Sequence, residues 1–224
     1  MRNLVPEATE GKSKKGCPTS FLILLESRIR KSSRISSTNK KGSTGSSSSN
    51  SSNSSSNSGV NQSFVANMSI SRQTTQAITV VGNGGSYATL TLHTKRNGIW
   101  TETLSCSARV GKNGITSNKR EGDGKTPTGI YSFGQAFGVA GNPGTSRGWL
   151  QVNNNHYWVD DVNSPYYNKL VDASQTGIQW SSAEHLIGYP TAYKYAIAVN
   201  YNTACTPGAG SAIFLHCSTG GSTA

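Results

Sequence analysis

Acidic side chains are in short supply in this chain. Its 10 Asp and Glu stand against 21 Lys and Arg, a formal net charge of +11. The imbalance is uneven: residues 1–71 hold ten basic residues and three acids, residues 72–224 eleven and seven. Such an N-terminal part favours anionic surroundings, whether nucleic acid, acidic lipid or an anionic cell wall. No aromatic ring interleaves with the basic residues of 28–41. The stacking surface that single-stranded nucleic acid needs is missing, and no nucleic-acid partner is expected. Long hydrophobic runs are missing as well. Phe21 to Leu25 is apolar but ends at Glu26. That is short of the roughly 20 residues of a spanning helix and the roughly 7–15 of a signal-peptide core. Cysteine is sparse: Cys17, Cys106, Cys205 and Cys217 include no CxxC and no zinc-type spacing. Partly buried free thiols are expected, with no metal.

Three stretches divide the chain. Residues 1–31 are a basic segment whose one structural hint is a face of Leu22, Leu25 and Ile29, suited to a short basic helix. Residues 32–63 are almost entirely Ser, Asn, Gly, Thr and Lys. That composition buries too little apolar surface to offset its ordering entropy. A disordered Ser/Asn-rich linker is expected over residues 32–70, spanning roughly 30 Å. From residue 71 to 224, turn-punctuated β runs take over. Ala77 to Val81, Tyr87 to Leu92 and Ile99 to Val110 are separated by Asn83-Gly84-Gly85 and Asn97-Gly98, which predicts an antiparallel meander. Ile130 to Phe133, Trp149 to Val152, His156 to Val159 and Tyr195 to Tyr201 are further strand candidates. WSSAEHLIG at 180–188 suits one or two helical turns, with Glu184 near their start. The predicted fold is mainly β, a mixed β-sheet sandwich with one or two short helices after a disordered tail.

Few residues carry chemistry. The loop GKNGITSNKREGDGKTPTG at 111–129 has Gly-Lys-Thr but not the Walker spacing, which argues against a nucleotide. Asp160-Asp161 lacks a third ligand and suits a turn with exposed carboxylates. His185 suits a packed or exposed position. His216 stands apart. It ends the apolar run Ala212 to Leu215 and precedes a Ser/Thr/Gly loop, where strand geometry holds an imidazole while the loop admits a substrate. Cys217 is its neighbour, but alternation along a strand sends adjacent side chains to opposite faces. Cys217 is therefore not expected to be a nucleophile, and an unrelated cysteine hydrolase built on it is disfavoured.

GSAIFLH followed by a short loop and S-T-A resembles the active-site segment of the YkuD-type L,D-transpeptidases. GDGKTPTGIYSFGQAFG, WVDDVNSPYYNKLVD and the YN…PGxGSAIFLH stretch are similar to the same family, in order, over roughly residues 76–224. The resemblance implies a peptidoglycan L,D-transpeptidase that attacks a stem-peptide carbonyl through a cysteine thioester, without cofactor or metal. It implies His216 as general base, its imidazole oriented by the backbone carbonyl of Cys217. Asn202 and Ser211 become substrate-binding candidates. The family's nucleophile belongs to a Gly-Cys expected just past Ala224, so this chain is expected to be inactive by itself. The alternative is a non-catalytic peptidoglycan-binding module or a gene fragment. The family also implies a monomer at the cell envelope or outside the cell, meeting stem peptides and, through its basic tail, an anionic wall or membrane surface.

Overall fold

A computed structural model describes the backbone of Phe21–Glu26 and the whole of residues 62–219. Residues 32–61 of the linker expected at 32–70, and the S-T-A ending at Ala224, lie outside the described residues. Phe21–Glu26 form strand β1, which corrects the basic helix expected there. β1 lies inside a sheet, antiparallel to one neighbour and parallel to the other. A five-residue apolar run suits either structure, and only distant partners decide.

From residue 62 the described chain is already packed, ahead of the boundary expected at 71. Two 3-10 turns, Phe64–Asn67 and Ser69–Arg72, carry Val65 and Ile70 into a buried cluster with Ala77 and Trp100. Ser63 caps the first turn, its Oγ accepting from the Val65 amide at 3.3 Å, and the Ser63 amide donates to the Trp100 carbonyl at 2.9 Å. Few apolar residues mark this end of the Ser/Asn tract, but Val65, Ala66, Met68 and Ile70 join the Trp100 cluster. His93 is fully buried here, between Ser63 Oγ at 2.7 Å and Thr79 Oγ1 at 2.9 Å. Burial pushes its pKa down to about 4.

β2 (Gln76–Gly84), β3 (Tyr87–Arg96) and β4 (Ile99–Arg109) form the antiparallel meander. Its first turn holds Gly84 and Gly85 at φ +108° and +53°, where a side chain is strained. β4 is outermost and mostly exposed from Glu102 to Ser107. The 111–129 loop contains a short parallel pair, β5 (Ile115–Thr116) and β6 (Thr126–Pro127). β7 (Gly129–Gly138) is the long central strand, with β8 (Trp149–Gln151) parallel beside it. β9 (His156–Val159) pairs with β10 (Leu170–Asp172) and β11 (Ala183–His185) in a three-stranded sheet. Between them lies α1 (Ala173–Thr176), one turn capped by Asp172 and ended at Gly177. β11 takes Ala183–His185 out of the helix expected at 180–188, where only Leu186–Gly188 turns, as 3-10. Glu184 lies opposite Trp158 and His185 opposite Tyr157, and this cross-strand pairing overrides the local capping pattern.

β12 (Ala196–Val199) and β13 (Phe214–His216) complete the large sheet, whose order is β13-β12-β7-β1-β2-β3-β4 with β8 beside β7. The result is a mixed β-sandwich with few short helices, as the sequence predicts. One core cluster lies under β2 to β4, around Val80, Ala88, Val110 and Val199, with Ile213 and Leu215 packed on it. Another lies between the β7–β12–β13 end and the three-stranded sheet, around Phe137, Leu186, Tyr193 and Ala196, with Trp158 and Phe214 packed on it. β13 thus separates two cores. Among the described residues, no helix is long and apolar enough to cross a membrane.

Candidate active site around His216

β13 is placed by its loop. Asn202 has φ +48°, and its Nδ2 donates to the Thr206 and Gly210 carbonyls at 3.0 and 2.9 Å, while its Oδ1 accepts from the Thr206 amide at 3.0 Å. The loop is stapled from outside by Asn168, itself at φ +55°. Asn168 Nδ2 donates to the carbonyls of Tyr201 and Asn202 at 3.0 and 2.9 Å. Its Oδ1 accepts from the Ala212 amide at 3.2 Å and from Trp158 Nε1 at 3.0 Å. Beside it the buried Tyr167 hydroxyl donates to Glu121 Oε2 at 2.5 Å and accepts from the Gly210 amide at 3.0 Å. Burial and then the Glu121 carboxylate push the Tyr167 pKa up. Three loops are locked into one by these two side chains, neither of which sequence reasoning singled out. The pair occurs within NSPYYN, where an asparagine between turn residues is the available signal.

The 111–129 loop is braced by Asp123. It accepts from Lys119 Nζ at 2.6 Å and from the Arg120 and Lys125 amides, each at 2.9 Å. Burial pushes its pKa up, but these hydrogen bonds and the Lys119 charge outweigh burial and hold it below the usual range. The Gly-Lys-Thr that suggests a phosphate loop is thus a carboxylate-tied turn.

At the end of β13, His216 Nδ1 lies 2.8 Å from the Cys217 carbonyl oxygen. A carbonyl only accepts, so Nδ1 carries the proton and Nε2 keeps its lone pair. His216 lines a cavity of about 490 Å³ together with Glu184, Tyr193, Phe214, Ser218 and Thr219; Lys125, Arg109 and Cys106 belong to its β4 side. The imidazole stands perpendicular to the Tyr193 ring, at 5.6 Å between centroids. Phe214 also contacts Tyr193, whereas Ile213 and Leu215 pack on the other core. Cys217 Sγ approaches the Tyr195 carbonyl at 3.6 Å.

Other candidates fall elsewhere. Neither Asn202 nor Ser211 lines the cavity. The Asn202 amide is engaged in shaping its loop. Ser211 Oγ is buried beside the Tyr167 hydroxyl but outside hydrogen-bond geometry. His185 stacks on Tyr157 at 4.4 Å and its Nε2 meets the Asn154 carbonyl at 2.9 Å. Asp161 closes a turn, accepting from the Ser181 amide and hydroxyl and the Asn163 amide. Cys106, Cys205 and Cys217 are free thiols. Among the described residues, no group of three or more His, Cys, Asp or Glu is arranged to hold a metal ion.

No family model matches the chain, and neither a curated protein nor a solved structure does.

Proposed function

We propose that this chain is a peptidoglycan L,D-transpeptidase-like protein in which His216 is the general base. One observation carries the reading: the Nδ1–H of His216 is held by the neighbouring carbonyl, which leaves a basic Nε2 at a cavity large enough for part of a peptide. In the proposed reaction Nε2 takes the proton of a cysteine thiol, and the thiolate attacks a stem-peptide carbonyl. The leaving amine departs protonated by the imidazolium, and an acceptor amine later displaces the thioester. Cys217 presents its carbonyl to the imidazole while its sulfur points to Tyr195, so it orients the base and is not the nucleophile. A Gly-Cys following Ala224 would supply that thiol. The protein would work at the cell wall, where its basic excess favours an anionic polymer.

The positions of Cys205 and Cys217, neither of which lines the cavity, favour a second reading, a wall-binding module that performs no chemistry. Intact mass after incubation with a carbapenem, which acylates active-site cysteines, separates the two. The 224-residue chain should gain no adduct. A version with Gly-Cys added after Ala224 should gain one and lose it on His216→Ala. Failure of the longer version to acylate favours the binding module. An adduct mapped to Cys106 or Cys217 in the 224-residue chain overturns the assignment of the nucleophile.

A further inference from the structure

One short piece of chain holds His216 from several directions. It is the 3-10 turn Ala192–Lys194, just before β12. The Cys217 amide donates to the Ala192 carbonyl at 3.0 Å, which fixes the residue whose own carbonyl accepts from the imidazole. The next residue, Tyr193, places its ring perpendicular to the imidazole at 5.6 Å. Backbone and side chain of the same turn therefore set both the acceptor and the wall against which the imidazole rests.

Tyr193 is itself fixed. Its ring is buried and makes edge contacts with Phe137 at 5.7 Å and Phe214 at 5.6 Å. Its carbonyl accepts from the Val139 amide at 2.8 Å. Its hydroxyl would be an orphan among these rings, a costly state for a buried donor, but it donates to Glu184 Oε2. Glu184 comes from β11, in the other sheet, so the bond ties the two layers together at the base. Burial raises the Glu184 pKa; the bond from Tyr193 opposes this, and the charges of Asp160 and Glu121 add to it.

An imidazole turned out of its present plane would carry Nδ1 away from the Cys217 carbonyl and lose the bond that fixes its tautomer. We propose that Tyr193 and Glu184 are positioning residues for His216: the ring holds the imidazole in the plane that keeps Nδ1 on the Cys217 carbonyl, and the carboxylate holds the ring in place. The inference rests on reading His216 as a base, but its test requires neither thiol nor substrate.

The test is the imidazole nitrogen spectrum of His216 in the 15N-labelled 224-residue chain near neutral pH. The native chain should show two widely separated ring-nitrogen shifts, protonated at Nδ1 and bare at Nε2. Tyr193→Leu should collapse that separation toward a tautomer average, and Tyr193→Phe, which keeps the ring but loses its bond to Glu184, should reduce it only part of the way. Glu184→Leu should move the shifts toward the average, and Glu184→Gln, which keeps an acceptor, should not. Native shifts in a folded Tyr193→Leu chain overturn the proposal. If that variant does not fold, Glu184→Leu decides by the same reading, because it leaves the aromatic cluster in place. If the version extended by Gly-Cys never acylates while the 224-residue chain shows this pattern, the proposed reaction fails and the positioning stands; acylation without the pattern does the opposite.

Discussion

A Cβ placed on Gly138 would lie 2.4 Å from the Lys194 carbonyl oxygen and within 2.9 Å of the Trp149 ring. The end of β7 therefore touches, backbone to backbone, the turn that carries Tyr193. Gly138→Ala must push that turn away, and overpacking of this kind costs about 1–3 kcal/mol. Urea unfolding should show this loss. Gly141→Ala, at a position with nothing within 4 Å, should be close to neutral. Equal stability of the two variants would mean that the approach is looser than described.

Residues 62–72 are part of the core, and Ile70 is the simplest probe of that. It is 5% exposed and packs with Val65, Ala77 and Trp100. Ile70→Ala should cost about 2–5 kcal/mol, the range for a buried isoleucine. A chain begun at residue 73 should be destabilised by more. An Ile70→Ala protein that melts with the native one would return the boundary to residue 71.

His93 makes the fold sensitive to acid. Its pKa is lowered from the ordinary 6.5 to about 4 by burial, so the unfolded chain binds a proton that the folded chain refuses between those values. The neutral imidazole's contribution is complete above pH 6.5 and declines as pH falls toward 4. The loss reaches about 3 kcal/mol at the lower limit. Denaturant melts at pH 7, 5.5 and 4 should show the slope, and His93→Gln should flatten it. A slope unchanged by His93→Gln would place the acid sensitivity elsewhere.

With Gly-Cys added after Ala224, Cys217→Ser should acylate with a carbapenem as fast as its parent, because serine keeps the backbone carbonyl that meets Nδ1. His216→Ala in the same background should slow acylation by about 10²–10⁴-fold. Stopped-flow or intact-mass time courses measure both. A slow Cys217→Ser variant with normal folding would assign the sulfur a role that its contact with Tyr195 does not suggest.

Local chemistry made the meander legible. Asn83-Gly84-Gly85 and Asn97-Gly98 read as turns because the backbone there takes positive φ at Gly84, Gly85, Asn97 and Gly98. His216 was legible for a similar reason, being a lone imidazole at the change from apolar run to small polar loop. What escaped depends on contacts far apart in sequence. Phe21–Glu26 is a strand because Gln76–Val81 and Gly129–Ser132 flank it. Glu184 has the sequence context of a helix start, but its pairing opposite Trp158 makes it part of a strand, and nothing local to Tyr193 marks it. Asn202 was the converse: its place in a family-like stretch suggested a ligand, but its amide is taken up by Thr206 and Gly210.

The outermost strand, β4, bears on how the protein behaves at concentration. Its far side meets no other strand among the described residues, and Leu104 is 45% exposed along it. Between Ile99 and Arg109 the charges are Glu102 and Arg109 alone, with no lysine or proline to deter a second copy from adding its own strand there. The like charge of +11 on each copy opposes that approach. That repulsion reaches about 8 Å in physiological salt and only about 3 Å at 1 M. Concentrated salt therefore removes the barrier to stacking strand on strand, and the chain should be most soluble in dilute buffer.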